Sequence, residues 1–227
     1  MVTAHSEVLA DLGPRVVDGR LAPGESLTLD SISADYAVSR TVAREVVQVL
    51  ASMGLVESRR RTGVTVLPED RWDHYAPAVL RWRLAGPGRA HLLRQLSQLR
   101  AAVEPPSAEL AAHHASDEVR SQLLDLADDL ERTGAGGDLR SFLELDVTFH
   151  RLLLQASGNV MFQALGGVVE EVLRGRTDHH LMPSEPKPEA RRLHAAVARA
   201  VAERDGEAAR SAMHAICAEV VAQMRDD

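Results

Sequence analysis

Apolar and polar positions divide this chain into a short N-terminal set of mixed elements and a long series of helices. Val8, Leu12, Val16 and Val17 share a stripe that predicts a first helix over 5–19, with Pro14 as the point where it would kink. Pro23-Gly24 signals a turn. Asp30 can cap a short helix reaching Tyr36, and Ala37-Val38 makes a tight connection. Ser39 then caps a longer helix that Gly54 stops after Met53. At about 100° per residue, Val42, Val46, Val49, Leu50 and Met53 gather on one side of it; Arg40, Thr41, Arg44 and Gln48 fall opposite. LVES and VTV are β-type runs around RRRTG, which predicts a two-stranded hairpin with Gly63 near its tip. Helix, helix, turn, helix and hairpin form the layout of a winged helix-turn-helix with a small β wing.

The pattern changes after residue 68. EDRWDHYA, 69–76, reads as a linker, and amphipathic helices follow at 77–84, 89–114, 117–132, 138–156, 160–176, 188–204 and 206–225. Breaks fall at GPG, Ala115-Ser116, GAGG, SGN, the proline-rich MPSEPKP and Asp205-Gly206, with Asn159 of SGN as a cap. This second part carries no strand pattern. The expected fold is mainly α: a winged helix-turn-helix domain over 1–68 and an all-α bundle over 77–227 with a cavity between its helices.

Composition supports a globular chain: of 227 residues, 45% are hydrophobic and only 3% aromatic, which favours helices over sheets. The one cysteine, Cys217, excludes an internal disulfide framework and fits a reducing compartment. Without a signal-like leader or an apolar run of about 20 residues, the expectation is a cytoplasmic protein with no membrane partner. The net charge of −7 argues against nucleic acid until it is divided along the chain. Residues 1–68 hold seven Arg against eight Asp or Glu, so the acidic excess lies largely beyond them. Arg40, Arg44, Arg59, Arg60 and Arg61 crowd into 38–63, against Glu45 and Glu57. A solvated face is the plainer reading of either arginine group. An arginine run beside a second basic face on a candidate recognition element is less easily dismissed as solubilising, and both readings stand on the residues alone.

These segments, PGESL and VSRTVAREVVQVLASMGLVESRRRTGVTV, resemble the DNA-binding domain of the GntR superfamily of bacterial transcription regulators over residues 5–68. Leu29 stands where that family usually has an acid, and Ser33 where it usually has alanine. The resemblance implies that Ser39, Arg40, Thr41 and Arg44 meet DNA, with wing residues around Thr62 and Gly63 in the adjacent groove. The chemistry agrees. Arginine near a helix start can pair bidentately with guanine, and Ser39 suits a phosphate. Arg59, Arg60 and Arg61 would supply salt-dependent affinity.

In the second part, Asp146 and His150 are four apart and share a helical face, His194 points inward with Val197 and Val201, and Arg100 and Glu104 share another face. Asp146 and His150 suit either a metal ion or an ordinary hydrogen-bonded pair; Arg100 and Glu104 can simply pair with each other. LRAAVEPPSAELAA, DVTFH, ASGN and LHAAVARAVAERDGEAARSAM resemble the FCD effector domain of FadR-type members of that superfamily. That resemblance implies a divalent metal, zinc or similar, on Asp146, His150 and His194. Its fourth ligand position is Ile216 here, and His214, two residues earlier, points to the opposite side. Arg100, Glu104, Asp146, His150 and His194 are the effector-site candidates, for a small carboxylate. RWDHYAPAVLRWRLAGP, with Trp72 and Trp82, resembles regulators of the galactonate-operon repressor type, which respond to sugar acids. His113-His114 and His179-His180 are read as surface or loop residues.

The expectation is therefore a homodimeric repressor, not an enzyme, released from a double-stranded operator by its effector. Two alternatives stand beside it. One is a metalloenzyme using Asp146, His150 and His194, with Glu104 as proton carrier. The other is an architectural DNA-binding protein that responds to no effector.

Overall fold

The computed structural model describes residues 3–59, 63–178 and 187–223, which form two compact units, Met1–Arg89 and Ala90–Asp227. The first unit opens with α1 (Ala4–Val17), capped by Thr3 and Ser6 in a reciprocal box. Pro14 lies within this helix, which continues through it to Val17. Gly13 of α1 has a packing reason: a Cβ there would come within 2.4 Å of the Trp82 ring.

β1 (Ser26–Leu27) precedes α2 (Leu29–Asp35), and the cap of α2 is Thr28, bonded to the Ser31 amide, rather than Asp30. The tight connection at Ala37 is made with φ +52°, in the left-handed region. Ser39 caps α3 (Arg40–Ser52) as its sequence predicts, accepting from the Val42 amide at 3.3 Å. The buried face of α3 is Ala43, Val46, Val47 and Leu50; Val42 and Val49 sit at its margin. These side chains join Val8, Leu12, Ile32, Leu55 and Val64 in one core.

β2 (Val56–Arg59) and β3 (Gly63–Val66) form the expected antiparallel hairpin, with Val56 opposite Val66 and Arg59 opposite Gly63. The sheet has three strands, not two, in the order β1-β3-β2. Ser26 pairs with Thr65 and Leu27 with Val64, a strand too short to leave a pattern in the sequence. The expected linker is structured. Glu69–Arg71 forms a 3-10 turn, and Trp72 donates its indole N–H to the Leu67 carbonyl at 3.1 Å. The helix after it, α4 (Pro77–Ala85), packs on α1 and lies in the first unit, whereas the sequence pattern grouped it with the bundle.

The second unit is helical among its described residues: α5 (Arg89–His114), α6 (Asp117–Ala135), α7 (Leu139–Ala156), α8 (Val160–Ala164), α9 (Gly166–Asp178), α10 (Pro188–Ala202) and α11 (Gly206–Gln223). The single helix expected over 160–176 is two, parted at Leu165, where Gly166-Gly167 weakens the helix. Ser116, Asp138 and Asn159 cap α6, α7 and α8 with their side-chain oxygens. α6 packs between α7 and α10, and α11 lies on α10. Ala108 and Ala112, Leu123 and Leu130, Phe149 and Leu153, Val197 and Val201, and Met213 and Ile216 bring five helices into one core. Arg120 is buried within it, donating to the carbonyls of Ala112, Ala115 and Val201 and so holding the C-terminal ends of α5 and α10. No helix among the described residues is long and apolar enough to cross a membrane.

Candidate functional site

Two separate features can carry chemistry, one in each unit. On the first, Ser39, Arg40, Thr41, Arg44 and Gln48 are exposed on the side of α3 opposite its buried face. The Arg40 Nε lies 3.1 Å from Asp30 Oδ1 at the start of α2, both side chains well exposed. Arg60, Arg61 and Thr62 lie outside the described residues. Gly63 has a local reason to be glycine: its φ is +83°, and a Cβ would stand 2.6 Å from the Leu27 carbonyl oxygen of β1. The close approach at Gly63 is thus to a neighbouring strand.

The second feature is a buried polar cluster from four helices. α5 contributes Arg100 and Glu104, α7 Asp146 and His150, α10 His194, and α11 Cys217. Every one is buried, His194 at 3% exposure and Asp146 at 7%. The i,i+4 spacing of Asp146 and His150 turns both inward, where Phe149 packs edge-on to the His150 and His194 rings. Arg100 clamps Glu104 with two bonds, Nε to Oε1 at 2.6 Å and Nη2 to Oε2 at 3.0 Å. The arginine offered by the sequence as an effector anchor is therefore already engaged by a carboxylate of its own helix. Its Nη2 also lies 3.4 Å from His150 Nε2.

The centre of the cluster is Asp146 Oδ1, 2.9 Å from His194 Nε2 and 3.3 Å from His150 Nε2. Asp146, His150 and His194 each offer a ligand atom, all within 4.8 Å of one another. His194 Nδ1 lies 2.7 Å from the Ala190 carbonyl, which can only accept, so Nδ1 carries the proton. In the neutral ring, Nε2 is then a bare lone pair facing a carboxylate oxygen. Asp146 Oδ1, His194 Nε2 and His150 Nδ1 all lack an aligned hydrogen bond although they are buried. Two acceptors at 2.9 Å with no proton aligned between them are what a bound cation would reconcile, so these residues fit a divalent metal.

The field of the site follows from its charges. Burial pushes the Glu104 carboxyl up, but Arg100 and His150 outweigh it and hold it well below the usual carboxylate range. Burial likewise raises Asp146, and the facing His150 and His194 rings reverse it, leaving the group well below its ordinary value. Burial pushes His150 down, yet the neighbouring Glu104 and Asp146 carboxylates bring it up to about 9.

Ile216, at the fourth position, is buried in the apolar core and His214 is exposed, so neither supplies a ligand. Two partners escaped the sequence reading: Glu104 Oε2 lies 2.9 Å from His150 Nδ1, and the Cys217 thiol donates to the same oxygen at 3.7 Å. Neither could be found without the fold, because 46 and 113 positions separate the pairs. His114 of His113-His114 is tied to the Ser157 carbonyl at 2.9 Å; His179-His180 lies outside the described residues. A groove of about 470 Å³ between α6 and α7, with Leu126 and Leu152 in its lining, includes none of the five candidate effector residues.

The structure thus joins a winged helix-turn-helix to a helical unit with a buried Asp-His-His centre, an architecture that by itself assigns no function. Residues 4–66 match the gntR family of bacterial regulatory proteins and residues 95–219 match the FCD domain. The chain belongs to the gntR family, with an FCD domain, and is a transcription regulator rather than an enzyme, which removes the metalloenzyme alternative.

It is 28% identical over 207 residues to the Galactonate operon transcriptional repressor of Escherichia coli (strain K12), with 90% of each chain covered. It is also 28% identical over 178 residues to the Probable D-xylose utilization operon transcriptional repressor of Paenarthrobacter nicotinovorans, covering 75% of this chain and 69% of that one. Among solved structures, Streptococcus agalactiae GntR aligns with a TM-score of 0.53 and 24% identity, covering 96% of this chain and 99% of the other. Lar of Listeria monocytogenes aligns with 0.65 and 17% identity over 100% and 98%. At such identities these two structures speak to the fold alone.

Proposed function

We propose that this regulator is a cytoplasmic homodimeric repressor whose operator binding is relieved by a small carboxylate, of the sugar-acid class, taken up at the buried cluster. The observation that carries the reading is the convergence of Asp146, His150 and His194, with unpartnered buried atoms, in a chain that also presents Arg40, Thr41 and Arg44 to solvent. The names of the galactonate and D-xylose relatives favour a sugar-derived effector, and Exu regulon relatives at 28% identity belong to the same group.

In this reading Arg40 and Arg44 face base edges in the major groove, Ser39 and the start of α3 face a phosphate, and Arg59 to Arg61 with Thr62 and Gly63 run along the backbone. A second protomer places a second α3 on the other half of a palindrome. Asp146, His150 and His194 would hold a divalent cation, zinc or similar, which when bound would attract carboxylate and hydroxyl oxygens to the buried cluster. His194 keeps Nε2 available by donating Nδ1–H to Ala190, and Phe149 shields both rings from water. Effector uptake favours a dimer arrangement whose recognition helices no longer fit the half-site spacing.

The test is operator affinity measured with and without a panel of sugar acids, alongside metal analysis of the purified protein. A panel member that lowers affinity at least tenfold supports the reading. Uniform affinity across the panel favours the effector-independent architectural alternative.

A further inference from the structure

The buried pair Arg100–Glu104 belongs to neither the DNA face nor the set of ligand atoms, yet its two side chains are joined by two hydrogen bonds inside the second unit. Two charged side chains one turn apart on α5 are 3% and 2% exposed. Burying such a pair is costly and contributes little net stability, so its position calls for an explanation beyond holding the fold together. Its geometry supplies one. Oε1 of Glu104 takes the Arg100 Nε–H; Oε2 faces Arg100 Nη2 at 3.0 Å, His150 Nδ1 at 2.9 Å and the Cys217 thiol at 3.7 Å. Arg100 of α5 and the Cys217 thiol of α11 thus donate to this carboxylate, and His150 Nδ1 of α7 stands against it at 2.9 Å. It cannot turn to a cation without giving up its bidentate clamp.

We propose that Glu104, clamped by Arg100, is the positioning residue that presents His150 Nε2 to a divalent cation beside Asp146 and His194. A carboxylate beside Nδ1 favours a proton there, so Nε2 is the nitrogen from which a cation would displace the proton. Nε2 is the atom that faces Asp146 Oδ1, at 3.3 Å. His194 reaches the same state by another route, through the Ala190 carbonyl at 2.7 Å. The two imidazoles are therefore oriented independently, one by a side chain of α5 and one by its own helix backbone. With Ile216 in the apolar core, three side chains remain to hold the ion, and loss of orientation in any one of them should be felt strongly. This proposal rests on the cation reading given above and goes beyond it by assigning Glu104 and Arg100 a role outside effector contact.

The experiment titrates the full-length, metal-free protein with Co2+, reading affinity by calorimetry and ligand geometry by the visible absorption of the bound ion. The unaltered chain should take one Co2+. Glu104→Gln should retain the one-to-one stoichiometry, bind roughly 10- to 100-fold more weakly and show a shifted cobalt spectrum. Glu104→Gln leaves Arg100 buried without its counter-charge and can fail to fold. The double variant Arg100→Met, Glu104→Met removes both charges together, keeps the volume and should show the same weakening with an undisturbed circular dichroism spectrum. Wild-type affinity and an unshifted spectrum in the folded variants would overturn the positioning role while leaving the cation site standing. Complete loss of Co2+, matching His194→Ala, would also overturn it by making Glu104 a ligand. If the unaltered chain takes up neither Co2+ nor Zn2+, the cation reading falls and this role falls with it.

Discussion

Single side chains set the chemistry at both ends of this regulator. On α3, Arg44 is exposed and forms no ion pair among the described residues; Arg40 is turned toward Asp30. Arg44→Ala is expected to weaken operator binding by roughly ten- to a hundredfold at moderate salt, the scale of a lost bidentate base contact, as fluorescence anisotropy would show. In the second unit His150 is held at about 9, above its ordinary 6.5, by Glu104 and Asp146. A raised value means its contribution to stability is complete below about pH 6.5 and is lost as pH rises through 9. The melting temperature of the metal-free protein should fall over that window, and His150→Gln should remove that part of the decline. Cation affinity should move the opposite way, rising with pH, because the ion competes with the proton on His150. Of these residues, Asp146, His150 and His194 were legible from spacing and family likeness. Glu104 as the partner of His150 was not, because a contact between α5 and α7 leaves no local mark in either helix.

Among the elements, α3 was the most readable: Ser39, the run of valines and Gly54 give its start, face and stop. Even there the buried face is turned toward Ala43 and Val47, because α1 and α2 both pack on it and a helical wheel knows only periodicity. The docking of α4 on α1 was illegible for the same reason. Its decisive contact, Trp82 over Gly13, looks in the sequence like a tryptophan in one helix and a helix-weakening glycine in another. Gly13→Ala should strain that contact and lower the stability of the first unit by about 1–3 kcal/mol, measurable by chemical denaturation followed through tryptophan fluorescence. Arg120 is a comparable element-scale device in the second unit. Arg120→Met removes three bonds to carbonyls of α5, α10 and the residue following α5, and should cost about 3 kcal/mol or more in denaturant unfolding, without changing Co2+ stoichiometry.

At the scale of the whole molecule, an acidic chain presents an arginine-bearing face, proposed above to meet DNA, while its acidic excess is concentrated in the second, helical unit. The winged layout and the helical unit were both legible, since each depends on repeated local patterns; the third strand and the packed segment 69–85 were not, since each exists only through contacts distant in sequence. The central claim is that the buried Asp146–His150–His194 cluster governs DNA release. The most direct test is operator affinity, at fixed salt and zinc, of the unaltered chain and of His194→Ala as an active sugar acid is added. Both should bind the operator comparably at the start. The acid should lower the affinity of the unaltered chain at least tenfold and leave His194→Ala unmoved. Equal release of both, or release of neither by any acid in the panel, would contradict the account.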